Sequence, residues 1–141
     1  MILLDTDHLT VLHFRSGERC ARLVSRLEAA VSELIGTTIV NFTEQMKGWL
    51  AVINKERQAE RQVTGYREML RLFEFYSSYH IAPFDEAAAA RFNELRRAKI
   101  RISTSDLKIA SVTLCSDALL LTANRQDFEL VPGLRFANWL D

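Results

Sequence analysis

The chain has 141 residues, 48% of them hydrophobic and 26% charged, a length for one domain and a composition that excludes disordered and collagen-like chains. Eighteen Lys and Arg balance eighteen Asp and Glu, so no overall positive field draws in nucleic acid and any polyanion site has to be a local patch. No apolar run approaches the roughly 18–20 residues that cross a bilayer.

The start, Met1-Ile2-Leu3-Leu4-Asp5, lacks the basic lead and long apolar run of a signal peptide. Cys20 and Cys115 stand far apart in helical patterns without ligand-like companions, which points to a reducing compartment. Ile2-Leu3-Leu4 is a short apolar strand that stops at Asp5. A helix is expected next, with Thr6 as its N-cap and Leu9 and Leu12 inward, followed by a second over residues 18–31. Thr37-Thr38-Ile39-Val40 is β-branched throughout and predicts a strand. Phe42, Met46, Trp49, Leu50 and Ile53 then recur at helical spacing.

Residues 61–79 predict a helix whose apolar side chains spread over about 220° at 100° per residue. One core contact needs less, so part of that arc is expected to meet a second chain. His80-Ile81-Ala82-Pro83 reads as a third strand, and Asp85 as the cap of a helix over about 86–99. Another helix is expected over 103–115, and a fully buried strand over 118–122, where apolar residues do not alternate with polar ones. Residues 125–130 read as a loop or short turn, and Leu134-Arg135-Phe136 as a last strand. Short apolar strands separated by helices predict a three-layer α/β/α sandwich around a short, mostly parallel sheet. Ligands gather beyond the carboxyl ends of such strands, where strand order reverses.

The polar residues just past those strands are Asp5 and Asp7, then Asn41 and Glu44, then Thr122, Asn124 and Asp127; Asp106 opens the helix before the long strand. Two carboxylates about 4 Å apart repel by roughly 4 kcal/mol at an effective dielectric near 20. Such acids gather only around something cationic, and carboxylates without His or Cys select a hard ion such as Mg²⁺ or Mn²⁺. Plainer readings stand beside this one. Glu44 follows Asn41 by three, the spacing of a capping box, and Asp106 favours a helix N-terminus. Asp127 reads as a turn residue. Asp5 resists a plain reading, because an acid ending a buried strand needs a partner. His8, His13 and His80 have no metal-ligand spacing and read as satisfied structural histidines. Arg91, Arg96, Arg97, Lys99 and Arg101 are opposed only by Glu94; they read as a solvated helix face or as a holder of phosphates.

Five segments in this order resemble the PIN-domain nucleases, and among them the VapC-type toxin ribonucleases of bacterial toxin–antitoxin pairs. They are Ile2-Leu3-Leu4-Asp5-Thr6-Asp7-His8-Leu9, Thr43-Glu44-Gln45-Met46-Lys47-Gly48-Trp49-Leu50, Pro83-Phe84-Asp85-Glu86-Ala87-Ala88, Ser105-Asp106-Leu107-Lys108-Ile109-Ala110-Ser111, and Leu121-Thr122-Ala123-Asn124-Arg125-Gln126-Asp127-Phe128, the last followed by Val131-Pro132-Gly133-Leu134 and Asn138-Trp139. The resemblance covers nearly the whole chain and implies a single PIN-like nuclease domain over 1–141. It implies Mg²⁺- or Mn²⁺-dependent hydrolysis of RNA phosphodiester bonds by Asp5, Glu44, Asp106 and Asn124, which would serve both as metal set and as catalytic set. Asn124 departs from the family's frequent aspartate, and Asp127 is the alternative for that fourth position. Thr6 and Thr122 are candidate hydroxyls of the same site.

The resemblance also implies a homodimer and a cognate VapB-type antitoxin; the cysteine usage points to a cytoplasmic location and the lack of a long apolar run to no membrane contact. Two other readings remain open at this stage. One is a PIN-like binding module whose nuclease site has decayed, which Asn124 favours. The other is an aspartyl-nucleophile phosphatase, which Asp5-Thr6-Asp7 resembles but which wants Thr or Val where this chain has Leu9.

Overall fold

Strand β1 (Ile2–Leu4) holds the centre of a five-stranded sheet because its residues are apolar on both faces. The structure, a computed structural model, describes residues 1–141. After β1 come α1 (Thr6–Phe14), α2 (Gly17–Ala29), β2 (Ile35–Thr38), α3 (Ile39–Lys55), α4 (Ala59–Tyr76) and β3 (His80–Ala82). The chain continues through α5 (Glu86–Arg97), α6 (Thr104–Cys115), β4 (Leu119–Leu121), α7 (Arg125–Phe128) and β5 (Arg135–Ala137). The sheet order is β3-β2-β1-β4-β5, and every neighbouring pair is parallel.

Alternation along the strands sorts their side chains between two cores. Leu3 and Leu120 point to a core formed with α5 and α6, through Phe92, Leu95, Leu107 and Ala110. Ile2, Leu4 and Leu121 point to the opposite core, formed with α1, α2 and α4 through Leu9, Leu23, Leu72 and Tyr76. The result is the three-layer α/β/α sandwich that the strand and helix order predicts. The chain steps outward from β1 to β2 and β3, then crosses back to lay β4 on the other flank of β1. Strand order therefore reverses between β1 and β4, and the crevice at their carboxyl ends is where a ligand site is expected.

Several boundaries differ from the sequence reading. The second strand is Ile35–Thr38, and Ile39 and Val40 already belong to α3. Thr38 causes the change: its Oγ1 accepts the Asn41 N–H at 3.1 Å and caps the helix early. The capping box proposed for Asn41 and Glu44 therefore does not form, since Asn41 lies inside the first turn and Glu44 one turn further on. Similarly, α1 is capped by Asp5 rather than Thr6, with Asp5 Oδ1 accepting the Thr6 N–H at 2.9 Å. Residues 125–128 form a short helix.

Helix α4 divides its wide apolar arc between two tasks. Leu72 and Tyr76 are buried, whereas Val63, Tyr66, Leu70 and Phe73 are about half exposed or more on the outside. Gly36 allows β3 to lie against β2, because a Cβ there would sit 2.3 Å from the His80 carbonyl oxygen. No helix is long and apolar enough to cross a membrane.

Candidate active site

Asp5 occupies the crevice between the ends of β1 and β4 and is only 8% exposed. Three side-chain or backbone donors hold its carboxylate. Oδ1 accepts from the Thr6 N–H at 2.9 Å and from Asn41 Nδ2 at 2.9 Å, and Oδ2 accepts from the Thr122 hydroxyl at 2.7 Å. Asn41 comes from α3 and is itself fixed, since Thr38 Oγ1 donates to its Oδ1 at 2.7 Å and its Nδ2 also reaches Thr6 Oγ1 at 3.1 Å. Burial pushes the Asp5 carboxyl up from the ordinary carboxylate range and the charge of Asp7 pushes the same way, against those hydrogen bonds. An acid held in place by three donors and still hard to ionise calls for a positive charge nearby.

Asp7, two residues on, behaves oppositely. Burial pushes it up, but the bonds it accepts outweigh this and its carboxyl lies below the ordinary range. His8 is completely buried; its Nε2 accepts the Trp139 N–H at 3.1 Å, which leaves Nδ1–H to donate to Asp7 Oδ1 at 2.6 Å. The other oxygen of Asp7 accepts the Ala123 N–H at 2.8 Å. Asp7 and His8 thus clamp the turn after β4 and the C-terminal segment to the start of α1. His8 is the satisfied structural histidine expected. His13 is not: its Nδ1 is buried without a hydrogen-bond partner. That imidazole lines a cavity of about 180 Å³ with Trp49, Glu68 and Phe75, edge-on to the Phe75 ring, so aromatic packing rather than hydrogen bonding places it.

Asp106 lies in the first turn of α6, where Ser103 caps the helix by accepting the Asp106 N–H at 3.1 Å. Its carboxyl is pushed up by burial and next by the charge of Asp5, with Asp127 and Asp7 adding to it and a Ser103 hydrogen bond opposing. The fold therefore brings together acids from residues 5, 7, 106 and 127. Asn124 stands at the N-cap position just before α7; its N–H donates to Thr122 Oγ1 at 3.1 Å, and its Nδ2 donates to Asp127 Oδ2 at 3.1 Å. Burial, and then Asp5, also push up the Tyr76 hydroxyl, which donates to Gln45 beneath the site.

Glu44 stands apart. It is exposed on α3, its carboxylate makes no hydrogen bond or ion pair, and it is not among the charges that shift Asp106. No three His, Cys, Asp or Glu side chains are drawn into a cage that could hold a metal ion. The donors still suit a hard divalent cation: oxygen ligands, no sulfur, and two carboxyls, Asp5 and Asp106, both pushed up by burial, Asp106 also by the charge of Asp5. Mg²⁺ needs only one or two protein carboxylates and keeps its waters. The sequence reading places Asp5, Asp106, Asn124 and Thr122 near this edge, and Asn41 too, but gives Asn41 only a capping task with Glu44 rather than a bond to Asp5. Its signal was an asparagine in the helix turn that directly follows a strand.

No protein-family model matches the chain, and no curated protein sequence matches it. Solved structures do. A chain of VapBC2 from Rickettsia felis, bound to a DNA fragment from their promoter, superposes with a TM-score of 0.71 at 23% identity, covering 99% of both chains. A chain of DNA-bound VapBC from Salmonella typhimurium gives 0.71 at 20% identity, covering 98% of this chain and 97% of that one. A chain of a toxin–antitoxin complex from Klebsiella pneumoniae gives 0.66 at 19% identity, covering 99% and 98%. At such identities the likeness establishes architecture: the chain has the PIN-like α/β/α fold of proteins found in VapBC complexes.

Proposed function

We propose that this chain is a divalent-metal-dependent endoribonuclease toxin of the VapC type, which hydrolyses RNA phosphodiester bonds in the cytoplasm and is inhibited by a cognate VapB-type antitoxin. The observation that carries the reading is the buried Asp5 carboxylate at the β1–β4 switch point, held by Asn41 and Thr122 and destabilised by burial and by the charge of Asp7. Asp5 and Asp106 are the residues that hold the ion, Mg²⁺ or Mn²⁺. A bound divalent cation supplies Lewis acidity to a phosphoryl oxygen and makes water a stronger nucleophile.

The remaining roles belong to side chains. Glu44, exposed and free of other bonds, takes the proton from the attacking water at a carboxylate oxygen. Asn124 orients the carboxylate of Asp127, and together they fill the fourth position. A bare phosphodiester is repelled by Asp5, Asp7, Asp106 and Asp127, so substrate binds poorly until the cation is present. The outer stripe Val63, Tyr66, Leu70 and Phe73 on α4 is the kind of apolar surface that a second copy or an antitoxin covers. We assign it to protein contact in a homodimer–antitoxin assembly.

The test is cleavage of total RNA by the purified chain with Mg²⁺, with Mn²⁺ and with a chelator, with fragment ends mapped by sequencing. Discrete ends that need the cation and vanish in Asp5→Asn are expected. Cleavage at wild-type rate by Asp5→Asn, or in chelator, overturns the reading.

A further inference from the structure

An acidic site must acquire its polyanionic substrate from elsewhere on the surface, and the chain's balanced charge offers no general attraction. One stretch has local excess. From Leu95 to Ser105 the sequence contains Arg96, Arg97, Lys99 and Arg101 and no acid. All four are exposed, and none forms an ion pair, unlike Arg19, Arg22, Arg71, Arg91, Arg125 and Arg135.

The backbone orients this stretch. Lys99 has φ 59°, in the left-handed region that glycine usually occupies past a helix end. A lysine adopts that conformation with strain that a glycine there would not have. Beyond it, Ile100 and Ile102 pack on the core beside α5 and α6, while Lys99 and Arg101 remain in solvent. Arg96 lies 5.6 Å from the Phe92 ring centroid, and Lys108 lies 5.7 and 5.8 Å from those of Phe84 and Phe92. Arg97, Lys99 and Arg101 are left with neither carboxylate nor ring. The segment ends at Ser103, whose hydroxyl caps α6 at the Asp106 N–H. These free cations are therefore joined to the candidate site by a short, capped connection.

We propose that Arg97, Lys99 and Arg101 form a phosphate-binding shelf that holds the RNA backbone on the α6 side of the acidic crevice. The shelf rests on the ribonuclease reading, and it assigns to that reaction residues that bind the strand without touching the reacting atoms. It answers the repulsion problem: each cation offsets one phosphate and releases counterions on binding.

The test measures binding of a mixed-sequence single-stranded RNA oligonucleotide to full-length Asp5→Asn by fluorescence anisotropy, from low to moderate salt. Further substitution R97Q/K99Q/R101Q is expected to weaken binding at least about tenfold at low salt. It should also flatten the slope of log affinity against log salt by about 2, at roughly 0.7 per phosphate contact. A matched variant, R57Q/R61Q/R67Q, removes equal charge from the α3–α4 side and should leave the slope within about half a unit. An unchanged slope in the shelf variant, or an equal loss in the matched variant, overturns the shelf. RNA held through the shelf by a wild-type chain that never cleaves it overturns the ribonuclease reading and leaves the shelf standing; cation-dependent cleavage with an indifferent shelf does the reverse.

Discussion

The floor and the rim of the acidic crevice are built on different terms. On the floor, Asp5, Asn41, Thr122, Asp7 and His8 are buried or half-buried, and every carboxylate oxygen has a donor. At the rim, Asp106 is half-buried and pushed up by burial and by neighbouring charge, and Asp127 accepts from a single amide, while Glu44 stands apart, exposed and unbonded on α3. A floor fixed by its own hydrogen bonds is ready before any ligand arrives. At the rim, Asp106 carries the charge of Asp5, Asp127 and Asp7 without a cation to offset it.

That contrast can be broken first at Asp5. Asp5→Asn keeps the shape and most of the hydrogen bonds but removes the charge, so RNA cleavage should fall on the order of a thousandfold or more. Its Mg²⁺-induced rise in melting temperature should disappear. Glu44→Gln should lower turnover by about a hundredfold while leaving both the Mg²⁺-induced stabilisation and folding stability, within about 0.5 kcal/mol, unchanged. Loss of Mg²⁺ stabilisation in Glu44→Gln would make Glu44 part of the metal site rather than separate from it. Asn41→Ala or Thr122→Val should weaken Mg²⁺ binding about tenfold, measured by calorimetry, because a supporting donor is lost; each also costs about 1–3 kcal/mol of stability in denaturant.

The smallest effect is one of pH. Asp5 and Asp106 have raised carboxyls in the folded chain, so their ionisation opposes folding. Between the ordinary carboxylate pKa and their raised values, the folded state binds more protons, and metal-free stability should rise as pH falls through that window. Asp7 has the lowered carboxyl and stabilises the fold above the ordinary range, so its contribution should be lost only on further acidification. Melting temperature against pH, with chelator, should therefore pass through a maximum on the acid side, and Asp5→Asn should flatten the rise toward it. A wild-type profile that falls steadily from neutral pH would contradict the raised carboxyls of Asp5 and Asp106.

Much of the architecture was legible in local pattern. The apolar triplet Ile2-Leu3-Leu4, the apolar stripe on α3 and the cap at Asp85 were read in their correct elements because each is a short-range signal. The end of β2 differs from the sequence expectation because β-branched Ile39 and Val40 suit a strand, while the Thr38 hydroxyl, accepting from the Asn41 N–H, turns the chain into a helix. His13 differs from expectation because an unsatisfied ring nitrogen depends on what α3 and α4 place around it.

Sequence by itself determined which residue types stand at the ends of the strands, and hence that Asp5, Asp106 and Asn124 were worth examining. It did so because side-chain chemistry and strand length are local properties. Tertiary structure alone decided that Asn41, 36 residues away, and Thr122, 117 residues away, close on the same carboxylate. The register of β1 against β4 sets that meeting, and a slip of one residue would turn Thr122 to the other face of the sheet.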